Sequence, residues 1–219
     1  MPQNRIDRDF FAQNFPSGAL ARKRLTNGRR PGFDAIFEGW EQIGGGGNLA
    51  WPAYALATAW HETGGEMLPV REGFKTNDAE ACDHVAAYCR RNGIANYAAR
   101  HSNGHSYYGR GYVQLTHGEN YKKMGRRLGM GDALYDNPDE VMKPEVSALI
   151  LLVGMIEGVF RPDRGKLADY FNLQGARWFE ARELINGDKT KTPSWANGKS
   201  IGDLIAGYGK GFFGVLRYG

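Results

Sequence analysis

Apolar positions recur at helical spacing along most of the chain. Residues 9–15 and 33–43 show it first, separated by a basic loop over residues 22–30. Gly44, Gly45, Gly46 and Gly47 form a flexible joint, and Asn48 is placed to cap a helix over residues 49–63. In that helix Ala53, Leu56, Ala57 and Trp60 fall at i, i+3, i+4 and i+7 and make one apolar face. Tyr54, Thr58, His61 and Glu62 fall away from it, and Gly64 and Gly65 stop the helix. Residues 67–106 are irregular apart from a helix expected over 78–92. Residues 112–115 read as a short extended stretch, with Tyr112, Gln114 and Thr116 on one side and Val113 and Leu115 on the other. Thr116 and Glu119 have capping-box spacing, so a helix should run from there to about residue 128. Asn137 and Pro138 mark another helix start, and Pro144 opens a core helix through residue 160. Further helices are expected over 163–171 and 175–185, with one more in the tail from residue 199. The longest apolar run, residues 148–153, is too short for a membrane span and reads as buried core. The pattern predicts a mainly α protein with one small extended element.

Length and composition narrow this picture. A chain of 219 residues with 42% hydrophobic and 24% charged residues can build one core, or one domain split into two lobes. The net charge is +4, with basic clusters at Arg22, Lys23, Arg24, Arg29 and Arg30 and at Lys122, Lys123, Arg126 and Arg127. Such clusters are either a solvated face or a contact for an anionic wall or outer membrane. No nucleic-acid motif accompanies them, so nucleic acid is not an expected partner. The first seven residues hold no apolar stretch of the kind a secretory signal needs. Cys82 and Cys89 are seven apart, about 10 Å along a helix, which leaves two free thiols. His84 lies near them, but the spacing matches no zinc pattern and no metal is expected.

Glu62 is the centre of the candidate chemistry. It sits in the last turn of a helix of apolar and small residues. The negative end of the helix dipole and any burial both disfavour a carboxylate there, which suits a general acid. A surface glutamate at a helix end is the plain alternative. A glycosidase needs a second carboxylate, and Glu66, Glu72, Asp78, Glu80 and Asp83 are near enough in sequence. Glu72 lies ten residues beyond Glu62, far enough for a loop to fold back across a cleft, and Arg71 beside it can keep it ionised. A second constellation runs from Tyr107 and Tyr108 through Arg110, Gln114, Thr116 and His117 to Asn120 and Tyr121. Aromatic rings stack on sugars, and Gln, Thr and Asn serve amides and hydroxyls. The same residues can be structural: Tyr107 and Tyr108 as core aromatics, Arg110 as an ion-pair partner, Thr116 as a helix cap.

The block His61-Glu62-Thr63-Gly64-Gly65, followed by Tyr107-Tyr108-Gly109-Arg110-Gly111 and Gln114-Leu115-Thr116-His117-x-x-Asn120-Tyr121, resembles glycoside hydrolase family 19. That family contains plant-type chitinases and a group of bacteriophage endolysins. Asn137-Pro138-Asp139 and Leu184-Ile185-Asn186-Gly187 resemble its later blocks, so the likeness covers roughly residues 45–190. It implies a lysozyme-like, two-lobed helical fold with a central cleft, and Glu62 as general acid. Gln114, Thr116, Asn120 and Asn186 fall where the family places groups that bind substrate or water. The substrate-contacting set taken from motif and resemblance together is His61, Tyr108, Arg110, Gln114, Asn120 and Asn186, with Thr116 beside the catalytic pair. The chitinases carry Ser where this chain has Thr116, which keeps the hydroxyl.

The departure lies at the second carboxylate. In the chitinases it follows a Tyr-Cys pair, but here Tyr88-Cys89 is followed by Arg90-Arg91-Asn92. Phage-type members carry a Glu in a segment resembling Pro69-Val70-Arg71-Glu72, which points to Glu72. The sequence-based expectation is therefore a single catalytic domain over residues 1–219, with residues 1–45 a helical segment on the core. It would be a monomeric phage endolysin that cuts the peptidoglycan glycan strand with inversion and needs no cofactor. Glu72 would deprotonate a water held by Thr116 and Asn120. Such an enzyme would gather in the host cytoplasm until released to the wall. The competing readings are a chitinase acting on N-acetylglucosamine polymers, a lytic transglycosylase, and a wall-binding module without activity.

Overall fold

The computed structural model describes residues 5–20, 23–45 and 47–219. Arg22 of the first basic cluster and Gly46 of the glycine run lie outside the described residues. In chain order the longer elements are α1 (Arg8–Gln13), α2 (Arg30–Gln42), α3 (Ala50–Glu62), β1 (Val70–Arg71), α4 (Asp78–Asn92), β2 (Arg110–Gly111), α5 (Gly118–Arg127), α6 (Ala133–Asp136), α7 (Pro144–Glu157), α8 (Leu167–Tyr170), β3 (Phe171–Asn172), β4 (Gly175–Ala176) and α9 (Ile201–Phe213). The strands pair as two small antiparallel ribbons, β1 with β2 and β3 with β4. The expectation of a mainly helical, two-lobed, lysozyme-like fold with a minor extended element holds.

The larger lobe is organised around α3. Helix α3 packs along α9, and α2 packs along α7. Rings of Phe11, Phe15, Phe33, Trp60 and Phe212 meet at centroid distances of 5.2–6.4 Å, tying α1 and α2 to α3 and α9. The smaller lobe has its own cluster, where Ala81, Val85 and Cys89 of α4 meet Ala98 and Tyr108.

Helix α3 is not amphipathic, contrary to the periodicity. Tyr54 and Thr58 are as fully buried as Ala53 and Leu56. The face assigned to solvent is covered by the C-terminal part of the chain: the Tyr54 ring stands 5.2 Å from that of Phe171 and 6.3 Å from that of Trp178. Gly209 allows this close approach, because a Cβ there would stand 2.7 Å from the Trp178 ring. At the C-terminal end of α3, His61 and Glu62 reach partial exposure, as does Trp51 at its start. Asn48 caps the start as expected, its Oδ1 accepting from the Ala50 N–H at 3.0 Å.

Two local expectations fail for one reason. Residues 112–115 are not extended. The backbone of Arg110 and that of Leu115 bond to each other in both directions, so residues 112–114 turn between them. The turn takes Thr116 out of its capping position: its hydroxyl donates to the Gln114 carbonyl at 2.7 Å, and α5 starts after His117 with no side-chain cap. The helices expected over 163–171 and 175–185 break into short 3-10 turns, α8 and the β3–β4 ribbon. The helix over 78–92 and the tail helix form as expected, and Cys82 and Cys89 are free thiols.

Candidate active site

Glu62 opens into a cavity of about 520 Å³ lined also by Trp60, His61, Phe74, Trp195 and Tyr208. The backbone beyond Glu62 is fixed by several bonds. Thr63 Oγ1 donates to the Ala59 carbonyl at 2.8 Å and accepts from the Met67 N–H at 3.0 Å. From the N-terminal segment, the Lys23 ammonium bonds the Gly64 carbonyl and Arg29 Nε bonds the Gly65 carbonyl at 2.7 Å. Both cations also reach Glu66, at 3.2 and 2.9 Å, which ties Glu66 to the N-terminal segment. Cations at a helix C-terminus are favoured by its dipole.

The nearest charge to Glu62 comes from far along the chain. Arg182 Nη1 donates to Glu62 Oε1 at 2.6 Å, while its Nε and Nη2 grip Asp188 at 2.7 and 3.0 Å. Burial works against the Asp188 carboxylate, but the Arg182 hydrogen bonds and charge outweigh it and hold the carboxyl below the usual range. The reading of Glu62 from its helix end alone left out this cation. The local sequence, Phe179-Glu180-Ala181-Arg182-Glu183-Leu184, is half charged and gives no sign that Arg182 is buried. His61 is lowered in pKa, chiefly by burial, with Glu62 opposing and Arg182 reinforcing.

Glu72 stands on the 3-10 turn Glu72–Phe74, directly after β1. Its backbone N–H donates to the Gly109 carbonyl at 2.8 Å, and its Oε2 accepts from the Gly109 N–H at 2.9 Å. Its Oε1 accepts from the Tyr97 hydroxyl. Burial, and next the bond to Glu72, push the Tyr97 phenol well above its usual range, so it stays protonated and donates. The same turn folds back toward Glu62: the Phe74 ring lies so that a Cβ on Gly64 would be 3.6 Å from it.

Gln114, Thr116 and Asn120 line one small cavity of about 150 Å³, together with Phe160 and Ile185. Gln114 Nε2 donates to the Val70 carbonyl at 3.0 Å, and Asn120 Nδ2 to the Thr116 carbonyl at 2.7 Å. A Cβ on Gly109 would fall 2.8 Å from Gln114 Oε1 and 3.2 Å from Glu72 Oε2, so Gln114 and Glu72 flank Gly109. Asn186 is exposed just beyond Ile185. Tyr108 and Arg110 are not open to a substrate. Both are buried, with the Arg110 guanidinium 3.7 Å over the Tyr108 ring. Arg110 bonds Asp78 at 2.6 Å and Asp139 at 3.1 Å, and Tyr108 Oη accepts from Arg71 at 3.0 Å. Arg71 in turn binds Asp139, at 2.7 and 2.8 Å, and not Glu72. The family-like Tyr-Tyr-Gly-Arg-Gly block is thus a buried ion-pair frame that carries β2. Asp78 is likewise taken into that frame.

Residues 52–153 match the family model for glycoside hydrolase family 19, described as chitinase class I. Among curated proteins, the acidic 26 kDa endochitinase of Solanum lycopersicum is 36% identical over 67 residues, which is 31% of this chain and 24% of that protein. The acidic endochitinase pcht28 of Solanum chilense is 54% identical over 35 residues, 16% of this chain and 14% of that protein. The matched stretch is therefore a quarter or less of each of these relatives. Among solved structures, chitinase C from Streptomyces griseus HUT6037 superposes with a TM-score of 0.55 at 20% identity, covering 96% of this chain and 79% of that one.

These findings correct the expected substrate and group. The matching family model, both plant relatives and the solved structure are all described as chitinases, so the peptidoglycan strand and the phage endolysin group fall. The inference went wrong at the second carboxylate. Which loop supplies a base says nothing about the sugar, since the base acts on water at the cleaved bond. The expected contact with an anionic wall or outer membrane falls as well, because much of its charge is engaged within the chain: Lys23 and Arg29 with Glu66, Lys122 with Glu119, Arg126 with Asp132 and Arg127 with Glu157. Residues 52–153 are thus similar in sequence to glycoside hydrolase family 19, and the fold built around them is similar to that of chitinase C.

Proposed function

We propose that this chain hydrolyses β-1,4 bonds in an N-acetylglucosamine polymer of the chitin type, with Glu62 as general acid and Glu72 as general base. The observation that carries the reading is the pair of carboxylates on two segments that fold onto each other. Glu62 ends α3 inside a cavity large enough for sugar rings. The turn bearing Glu72 packs its Phe74 against Gly64, two residues past Glu62.

In the proposed step Glu62, protonated, gives its proton to the glycosidic oxygen. Glu72, oriented by the Gly109 N–H on its Oε2 and the Tyr97 hydroxyl on its Oε1, takes a proton from water as that water attacks the anomeric carbon and the bond to the glycosidic oxygen breaks. Thr116 supports the water: its hydrogen is committed to the Gln114 carbonyl, which leaves its oxygen free to accept. The configuration at the anomeric carbon inverts. The plant relatives and the bacterial enzyme, named as chitinases, support the choice of sugar.

The test is hydrolysis of N-acetylglucosamine hexamer by the wild type, Glu62→Gln and Glu72→Gln, with the anomer of fresh product read by NMR. Glu62→Gln is expected to lose about 10²- to 10⁴-fold in kcat, the usual worth of a general acid. A wild type that leaves the hexamer intact sinks the reading. An active Glu72→Gln variant with anhydro-sugar products would move the chemistry to a lytic transglycosylase.

A further inference from the structure

Two aromatic side chains that the proposed chemistry leaves unused stand open at the Glu62 cavity. Trp195 and Phe74 are each 63% exposed, whereas Trp40, Trp60 and Trp178 are buried. Both line the cavity that holds Glu62. Leaving such rings in water forgoes roughly 1.5–3 kcal/mol of burial for a side chain of that size. Single exposed apolar residues are ordinary, but two large aromatics on one cavity are a patch.

Each ring is held in place by its backbone. Trp195 is the middle residue of the 3-10 turn Ser194–Ala196, which starts after Pro193 and ends at Asn197 in the left-handed region at φ 47°. Ala196 of that turn is buried, so the turn is anchored while the indole projects. The indole centroid lies 6.3 Å from that of the His61 ring, at 37°. Phe74 has φ 56°, a conformation that costs a bulky residue on the order of 1–3 kcal/mol. That backbone sets the exposed ring against Gly64, beside Glu62.

We infer that Phe74 and Trp195 are the aromatic surfaces of a saccharide subsite beside Glu62, one that takes the pyranose ring of an N-acetylglucosamine unit. This rests on the proposed substrate class and adds residues that lie, for Trp195, outside the family-matched region. The axial C–H face of the sugar would pack on the rings, and its polar edge would meet Glu62 and His61. Trp195 reaches the cavity from the C-terminal side and Phe74 from the Glu72 turn, so bound sugar would bridge parts of the chain far apart in sequence.

The experiment titrates tetra-N-acetylchitotetraose into Glu62→Gln, alone and combined with Trp195→Phe, Trp195→Ala or Phe74→Ala, following tryptophan fluorescence and calorimetry. Wild type and Trp195→Ala are assayed on the hexamer in parallel. Tetramer should shift the fluorescence of Glu62→Gln, and Trp195→Phe should abolish most of the shift yet bind within about threefold. Trp195→Ala should bind roughly tenfold more weakly and raise KM by a similar factor, with the melting temperature unchanged. An active wild type whose binding and KM ignore Trp195→Ala overturns the subsite and leaves the hydrolase reading standing. An inactive wild type whose Trp195 still reports tetramer overturns the hydrolase reading and keeps the subsite. Neither activity nor binding overturns both.

Discussion

Arg182→Ala is the most informative perturbation of the site's electrostatic frame. Arg182 is 2% exposed, its partners Asp188 and Glu62 are 10% and 18% exposed, and it makes three side-chain hydrogen bonds to them at 2.6–3.0 Å. Removing the cation strands a buried carboxylate, which costs about 3–5 kcal/mol. In a chain this size that is a fall of roughly 6–20 °C in melting temperature. Arg126→Ala is the control: it breaks an exposed pair with Asp132 and should cost about 0–1 kcal/mol. The loss should also depend on pH. In the wild type the folded Asp188 carboxyl lies below its usual value. Its stabilisation is therefore present above the unfolded pKa near ~3.9 and is lost as pH falls through the folded value. Without Arg182 the largest opposition to burial is gone, leaving the His61 charge and a backbone hydrogen bond, so the carboxyl rises and Asp188 stabilises less as pH climbs. The gap between wild type and variant should be widest near neutrality and narrow below about pH 4. Urea unfolding at several pH values measures it. A loss under about 1 kcal/mol at neutral pH, or a gap independent of pH, would refute the reasoning.

Two further outcomes follow from the geometry. The His61 pKa is lowered mainly by burial, so its contribution to stability is present above about 6.5 and declines as pH falls toward the folded value; His61→Gln should flatten that acid slope in denaturant melts, and an unchanged slope would contradict it. A Cβ on Gly154 would fall 2.1 Å from Cζ of Phe160, so Gly154→Ala should cost about 1–3 kcal/mol by overpacking. Because Phe160 lines the Gln114–Thr116–Asn120 cavity, the same variant should lower kcat/KM on the hexamer, and full activity there would separate that cavity from catalysis.

What was legible in the sequence was local. Helix α4 forms over the expected residues because the groups that bound it, Asn77 and Gly93, directly flank it. The fold-back of the Glu72 turn was legible from a short span after two glycines. Helix α3 was misread because its burial depends on the tail helix and on Phe171 and Trp178, more than a hundred residues away. Thr116 was misread because two arrangements compete for one hydroxyl, and the Arg110–Leu115 backbone pairing decides between them. Tyr108 and Arg110 were read as sugar contacts because a motif preserves residue type and not exposure. Their partner Asp139, some thirty residues on, turns the motif into a buried frame.

The same distinction governs how the site is put together. The carboxylates, Gln114, Thr116 and Asn120 all lie within residues 52–153, the region that matches the family. Lys23 and Arg29, which hold the backbone beyond Glu62, precede that region, while Arg182, Asp188 and Trp195 follow it. The matched segment therefore holds both candidate carboxylates, while the charged groups bonded to Glu62 and to the backbone after it lie outside that segment. The charge bonded to Glu62 is Arg182, from the C-terminal part of the chain, and the backbone just after Glu62 is held by Lys23 and Arg29 from the N-terminal part. The charges around Glu62 and the Trp195 ring come from outside the region that matches the family model, while Phe74 lies within it.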